Sequence, residues 1–272
     1  MTIRDITADE LRSLQARSKE KDYLLVDVRQ PEEYRAGHLP GALLIPLQDL
    51  PERVDELPED RDLIFYCRSG VRSRVAATAL AGMQGFTGRM INLSGGIIAW
   101  QGVTLPEQPR LHLFPPTDNQ GESLLQAMSL ERGAAKVYET MLARYGEKDW
   151  AVPLKGLAAE EGAHARLLYK ALQQYQKDLP AFDELYLQVP DDLIEGGFSR
   201  ENIEAELDRP GNNPCQICYE LALAIEYAAY DLYRSLAHRF REDSVAEVFI
   251  SIAQGEKVHL RRAAAALSAC QD

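Results

Sequence analysis

The chain contains no apolar run of the roughly 18 residues needed to cross a bilayer, and it opens on Met1-Thr2-Ile3-Arg4-Asp5 without an apolar leader. A soluble cytoplasmic protein is therefore expected. Cysteine is scarce, with four residues in 272 (Cys67, Cys215, Cys218, Cys270). That number makes no disulfide framework, so the reading is of thiols with individual roles. Positive charge is also short, since 30 Lys and Arg face 42 Asp and Glu for a net charge of −12. Divided at residue 108, the first part carries 13 basic against 16 acidic residues and the second 17 against 26. Neither part has a basic patch, which argues against nucleic acid and anionic membrane as partners.

What the chain does have is length for two cores and two contrasting textures. Up to about residue 105, short apolar runs alternate with helical patterns. The runs Leu24-Leu25-Val26-Asp27-Val28, Ala42-Leu43-Leu44-Ile45, Leu63-Ile64-Phe65-Tyr66 and Met90-Ile91-Asn92-Leu93 suit buried parallel strands. Thr7 and Glu10 form a capping box for the first helix. An α/β domain over residues 1–105, a parallel sheet with helices on both faces, is expected. Residues 106–121, with Pro106, Pro109, Pro115 and Pro116, read as a stiff linker. Residues 122–270 read as an all-α four-helix bundle, with helices at about 122–145, 151–178, 214–241 and 244–269. Ser244 and Glu247 suggest a second capping box, and a short helix is expected after Ser199. The long connection between the second and third helices fits one crossover.

The helical part repeats itself at an offset of 95. Glu131 matches Glu226, Tyr138 matches Tyr233, Glu161 matches Glu256 and His164 matches His259. Glu161 with His164, and Glu256 with His259, stand three residues apart and so share a helix face. A lone Glu-x-x-His is ordinarily a solvated pair. Here Ala158, Leu167 and Leu168 flank one copy and Ile252, Ala253 and Leu260 the other, so both faces are apolar. Four carboxylates brought together indoors repel strongly unless cations neutralise them. The spacing points to a two-metal centre with Glu131, Glu161, His164, Glu226, Glu256 and His259 as its ligand set.

A second chemistry sits at Cys67-Arg68-Ser69-Gly70-Val71-Arg72, between the strand ending at Tyr66 and a helix over 73–83. Successive amides in such a loop make an anion-binding nest, and two arginines add fixed charge. Both favour the thiolate, the nucleophilic form of Cys67. A lone cysteine after a strand is usually a small core residue, but the Gly and two Arg beside it weaken that reading. Cys215 and Cys218 open the third helix after Pro214, either as a redox-active dithiol or as two ordinary cysteines at a helix start.

The Cys67 loop, together with Asp27-Val28-Arg29, Gly37-His38-Leu39-Pro40-Gly41-Ala42 and Gly95-Gly96-Ile97-Ile98-Ala99-Trp100, resembles a single-domain rhodanese over residues 1–103. The resemblance implies a sulfurtransferase in which Cys67 carries sulfane sulfur as a persulfide. It implies a small anionic donor such as thiosulfate held by Arg68 and Arg72, and a thiol or cyanide acceptor. Amides of residues 68–72, including Ser69, Gly70 and Val71, would stabilise the persulfide. Asp27, Arg29 and His38 would be structural. The helical part resembles the ferritin-like superfamily, and within it the rubrerythrin-type diiron proteins. That implies two iron ions, with manganese compatible with the same O/N ligands. Glu161 and Glu256 would bridge them, and Glu131, Glu226, His164 and His259 would each cap one. Such proteins usually carry a second iron site built from two Cys-x-x-Cys pairs. This chain has one pair, so an external electron-donor protein is implied. The extra carboxylate of some relatives is not evident, because Ala229 follows Glu226 by one turn. Glu160 reads as a solvated side chain, with a place just outside the ligand set as the alternative. Ferritin-like bundles commonly pair, so a homodimer is expected. The competing reading makes the rhodanese part a docking module for a diiron peroxide reductase or metal-binding protein.

Overall fold

The computed structural model describes residues 3–116, 119–209 and 213–270. The chain forms two compact units, Met1–Pro109 and Arg110–Asp272.

The first unit is a parallel sheet of five strands, β1 (Arg4–Ile6), β2 (Tyr23–Asp27), β3 (Ala42–Leu44), β4 (Asp62–Tyr66) and β5 (Met90–Leu93), in the order β1-β5-β4-β2-β3. Its helices are α1 (Ala8–Arg17), α2 (Pro31–Ala36), α3 (Val71–Ala81) and α4 (Gly96–Ala99). Alternation along the central strands feeds two cores. Leu24, Val26, Leu63 and Phe65 pack with Ala76, Ala77 and Leu80 of α3. Tyr23, Leu25, Ile64 and Tyr66 pack with Leu11 of α1 and Tyr34 of α2. Helices therefore cover both faces. The capping box of Thr7 and Glu10 is present. β1 was not among the expected strands, because three residues with the burial pattern exposed, exposed, buried carry no periodic signal. It exists through pairing with β5, Arg4 against Ile91.

Four long helices dominate the second unit: α5 (Gln120–Tyr145), α6 (Val152–Leu172), α9 (Pro214–Arg239) and α10 (Val245–Ala269). Between them the crossover holds α7 (Phe182–Gln188) and α8 (Arg200–Leu207). Ser199 caps α8 by accepting from the Asn202 amide, whereas α7 lacks a side-chain cap and was not foreseen. α6 stops at Leu172, short of the expected residue 178. At the start of α10 the expected capping box is absent. Ser244 is already helical, and Asp243 caps instead, its Oδ1 accepting from the Val245 amide at 3.0 Å. Part of the expected linker packs on this unit: Phe114 is buried in its core and the Pro115 carbonyl accepts from Arg239. Residues 117–118 of that linker lie outside the described residues.

The cores of this unit form two apolar layers. One takes Leu124 and Met128 of α5, Leu168 and Leu172 of α6, Tyr233 and Leu236 of α9, and Phe249 and Ile252 of α10. The other takes Val137 and Met141, Leu154 and Leu157, Ala222 and Ile225, and Ala263 from the same four helices. Glu131, Glu161, Glu226 and Glu256 fall between these layers on every helix. That placement keeps water away from four carboxylates at once.

The reading of Cys215 with Cys218 as a dithiol is corrected. Cys215 is disulfide-bonded to Cys270, their Cα atoms 5.6 Å apart. Antiparallel packing of α9 on α10 brings Cys270 to the start of α9, a proximity that local spacing cannot reveal. Cys218 is a buried thiol whose pKa burial pushes up to about 12, so it is no thiolate donor. Cysteines 55 apart in sequence close a loop worth about 4 kcal/mol in the chain-entropy picture.

Candidate functional site

Cys67 leaves the C-terminal end of β4 and turns into α3. The turn favours Gly70, which adopts φ +94° and leaves little room for a Cβ, since one would lie 3.0 Å from the Leu93 carbonyl oxygen. The Gly70 amide donates to Cys67 Sγ at 3.1 Å, and Ser73 Oγ lies 3.5 Å from the sulfur. Ser73 Oγ also donates to Asn92 Oδ1 on β5 at 2.6 Å, so its one proton is shared between that oxygen and the sulfur. Burial alone would raise the thiol pKa. The Ser73 hydroxyl and the amides of Ser73, Ser69 and Gly70 outweigh it and hold the pKa below its ordinary value. On the far side Gly96 lets α4 approach, and the Ile97 amide donates to the Cys67 carbonyl at 2.9 Å.

Arg68 and Val71 point outward, and Arg72 is half-buried. Arg72 makes a two-pronged pair with Glu33, both bonds 2.8 Å, which pulls the Glu33 carboxyl down to about 2. Its guanidinium is raised by Glu33 first and by Cys67 to a lesser extent, and the Glu33 pair fixes its orientation. A cleft of about 650 Å³ opens next to the loop, lined by Ser69, Gly70, Arg74, Asn92 and Ser94 among others. Sequence reasoning missed Ser73, Asn92 and Glu33. Ser73 is one residue past the loop and could have been included; Glu33 lies on α2 and gives no local signal. The buried Asp27 accepts from Arg29 at 2.6 Å, and His38 stacks on Tyr34 with ring centroids 3.7 Å apart. Both arrangements brace the sheet end and leave Cys67 alone.

Ser73→Ala should move the acid limb of sulfur transfer, and of iodoacetamide alkylation at Cys67, to higher pH by about one unit. A hydrogen bond to a charged group is worth about 1.5 kcal/mol or more, and one pH unit is about 1.4 kcal/mol. The sign follows because the hydroxyl favours the thiolate, so losing it demands a higher pH for the same thiolate fraction. An unmoved alkylation profile would remove Ser73 from the site.

In the second unit the structure brings all six of the expected metal-site residues together. Glu161, His164, Glu256 and His259 offer ligand atoms within 4.8 Å of one another. His164 Nδ1 lies 3.0 Å from Glu256 Oε1, 3.3 Å from Glu131 Oε2 and 3.4 Å from Glu161 Oε2. His259 Nδ1 lies 3.0 Å from Glu226 Oε2, 3.0 Å from Glu256 Oε2 and 3.5 Å from Glu161 Oε1. The two tyrosines of the duplication cross over: Tyr138 donates to Glu226 and Tyr233 to Glu131. Their matched positions at the 95-residue offset are visible in the sequence, but nothing there marks them as partners of the glutamates. Burial first, then the neighbouring carboxylates, pushes Glu161 well above its ordinary value and Glu226 up to about 8. His259 is pushed up to about 10, because its bond to Glu226 and the nearby Glu256 carboxylate outweigh burial.

Two readings around this cluster are corrected. Glu160 is not merely solvated: its Oε2 lies 2.9 Å from His259 Nε2, and Arg262 bonds its other oxygen. A further buried carboxylate lies in the crossover. Glu195, in the single turn Glu195–Gly197 of the crossover, is 2 % exposed and sits near Glu131, Glu226 and Glu256, all of which raise its pKa after burial. Position 229 gave no hint, because the group comes from a connection rather than from a ligand helix.

A five-stranded parallel sheet covered on both faces, with a cysteine whose pKa is lowered cradled at a strand end, makes an α/β domain built around a nucleophilic thiol. The family model described as "Rhodanese-like domain" matches residues 7–102. A sulfurtransferase of Allochromatium vinosum is 50% identical over 32% of this chain and 78% of its own length. A human thiosulfate:glutathione sulfurtransferase is 36% identical over 35% of this chain and 90% of its own length. The solved structure of a rhodanese-like domain protein from Staphylococcus aureus is 31% identical, with a TM-score of 0.34, over 39% of this chain and 99% of its own. The chain belongs to the rhodanese-like family, and its N-terminal unit is a rhodanese-type sulfurtransferase domain. The second unit is mostly helical and, among the described residues, carries one Glu/His cluster able to hold a metal ion. Among the described residues no helix is long and apolar enough to cross a membrane.

Proposed function

We propose that Cys67 is the sulfur carrier of this sulfurtransferase and that the helical unit is a ferritin-like, rubrerythrin-type dimetal centre. In the first half-reaction the Cys67 thiolate attacks the outer sulfur of a donor such as thiosulfate. The S–S bond of the donor breaks, sulfite leaves with the electron pair, and Cys67 keeps the sulfur as a persulfide. An acceptor such as cyanide or a thiolate then attacks that sulfur, forms the new bond and returns Cys67 as thiolate. The Gly70 amide and Ser73 hydroxyl lie where they steady the negative sulfur, and Arg72, oriented by Glu33, faces the anionic donor.

One observation carries the dimetal reading. Glu161 and Glu256 each direct one carboxylate oxygen to His164 Nδ1 and the other to His259 Nδ1. An imidazole N–H can serve only one acceptor well, yet each Nδ1 faces three carboxylates. His164 Nδ1 and both oxygens of Glu256 are buried with no hydrogen-bond partner. Such atoms suit two cations, one held by Glu131 and His164, the other by Glu226 and His259, with Glu161 and Glu256 shared. The donor set fits iron and also manganese. Two irons so held would supply electron-transfer chemistry toward peroxide or oxygen; Tyr138, Tyr233 and Glu160 would orient the ligands. We read the fusion as coupling sulfane-sulfur handling to that oxidant chemistry, with electrons from an external donor protein. Elemental analysis of the purified chain should give two metals per polypeptide; one or none overturns the dimetal reading.

A further inference from the structure

Resting on Cys67 as the sulfur carrier, we propose that Asn92 is a positioning residue for sulfur transfer: it takes the Ser73 proton while the sulfur is uncharged and releases it when the thiolate forms. Asn92 interrupts the apolar strand β5, Met90-Ile91-Asn92-Leu93, and is 2 % exposed. A buried amide in such a strand is costly unless both of its ends find partners. Asp5 stands opposite it on β1 and accepts from Asn92 Nδ2 through Oδ1 at 2.8 Å. The same Asp5 carboxylate lies 2.7 Å from Arg74 through its other oxygen, so toward Asn92 it accepts and does not donate. The amide nitrogen of Asn92 is thereby committed to Asp5 and the amide oxygen to Ser73, and that oxygen can only accept. Ser73, fully buried, donates to it at 2.6 Å while Cys67 Sγ stands 3.5 Å from the same hydroxyl.

A hydroxyl has one proton and two lone pairs. With its proton on Asn92, the Ser73 oxygen turns a lone pair to the sulfur and accepts from the Cys67 S–H. With its proton on the sulfur it steadies a thiolate, and Asn92 Oδ1 gives up its donor. Each charge state of Cys67 therefore has its own arrangement of protons. During catalysis the charge leaves Sγ: in the persulfide it sits on the outer sulfur, so the Ser73 proton returns to Asn92. It swings back to Sγ when the acceptor removes that outer sulfur and the thiolate reappears. The competition also sets reactivity. A hydroxyl given to the sulfur without a rival would lower the thiol pKa further, and nucleophilicity falls as a thiol pKa falls. The charged groups around the loop are Arg72 with Glu33 from α2, Arg74 with Asp5 from β1, and Arg29 with Asp27 at the end of β2. Arg68 points outward, and α4 carries no charged residue. Asn92 adds no charge to that set, so its influence on the sulfur runs through the Ser73 proton.

The pH dependence of iodoacetamide alkylation at Cys67 in the full chain, read by mass on the labelled peptide, tests this. In Asn92→Val the thiol state loses the bond between Ser73 and residue 92, and the thiolate state loses nothing. The alkylation midpoint should therefore fall, by about half a pH unit for one neutral hydrogen bond. The rate at the high-pH plateau should drop about 1.7-fold for that shift. Ser73→Ala moves the midpoint the other way, and the double variant should match Ser73→Ala, because Asn92 acts only through that hydroxyl. A residue that merely props Ser73 in place predicts a midpoint that rises in Asn92→Val, as it does in Ser73→Ala. A rise, or no shift, overturns the proposal. The wild type supplies a reading that needs no variant at residue 92. Below the midpoint, the infrared S–H band that disappears in Cys67→Ser should lie at the frequency of a hydrogen-bonded donor; a free-thiol frequency overturns the proposal as well. Thiocyanate turnover that survives Cys67→Ser would instead bring down the carrier reading, and with it the part of Asn92 in transfer, while the alkylation midpoints kept their order.

Discussion

Cys67→Ser should reduce thiocyanate formation from thiosulfate and cyanide to background, a loss of at least about a thousandfold. The four cysteines differ in kind. Cys215 and Cys270 are bonded to each other, and burial lifts Cys218 to about 12. Cys67 alone is held below the ordinary thiol value, by the Ser73 hydroxyl and three amides working against burial. A serine fits the same loop and can accept from the Gly70 amide, so the fold should be retained while the nucleophile is lost. Two measurements check this: the colorimetric thiocyanate assay, and intact mass after thiosulfate, which should show one added sulfur on the wild type and none on the variant. Turnover that survives in Cys67→Ser would transfer the carrier role to another group and leave the nest around Cys67 without a function.

The sulfur site was legible because its chemistry is local. Strand, cysteine, glycine-bearing loop and helix follow one another within about twenty residues, and the amides that hold the sulfur belong to that same stretch. What escaped was whatever arrived from elsewhere in the chain. Glu33 reaches Arg72 from α2, and Asn92 fixes Ser73 from β5. The six Glu and His residues of the helical unit were legible for a different reason: duplication repeats them at a fixed offset, so two weak signals support each other. Glu195 and Cys270 have no such echo. One enters on a crossover and the other through the antiparallel return of α10, and neither geometry is written in spacing. The two mistaken local readings, the dithiol and the Ser244 cap, share a cause. In each, a plausible short-range partner lost to a neighbour set by tertiary packing, Cys270 in one case and Asp243 in the other.

Glu161→Gln should change the stability of the helical unit in opposite directions with and without metal. In the metal-free chain Glu161 is 2 % exposed and faces Glu226 and Glu256, so its charge is poorly solvated and repelled. Replacing it by the neutral amide keeps the volume and removes both penalties, so the metal-free variant should melt no lower than the wild type. With metal the sign reverses. Glu161 offers one oxygen toward each histidine, so under the proposed dimetal reading the amide would deprive both cations of a shared anionic ligand. The rise in melting temperature on adding Mn²⁺ or Fe²⁺ reports the ratio of free metal to its dissociation constant, and weaker binding shrinks it directly. Differential scanning calorimetry of both proteins, metal-free and metal-loaded, gives all four values. A merely structural glutamate predicts a variant whose melting temperature moves the same way in both states. The crossing of signs is expected only if the carboxylate is tolerated in the core because cations sit against it, and elemental analysis should then show fewer than two metals per chain.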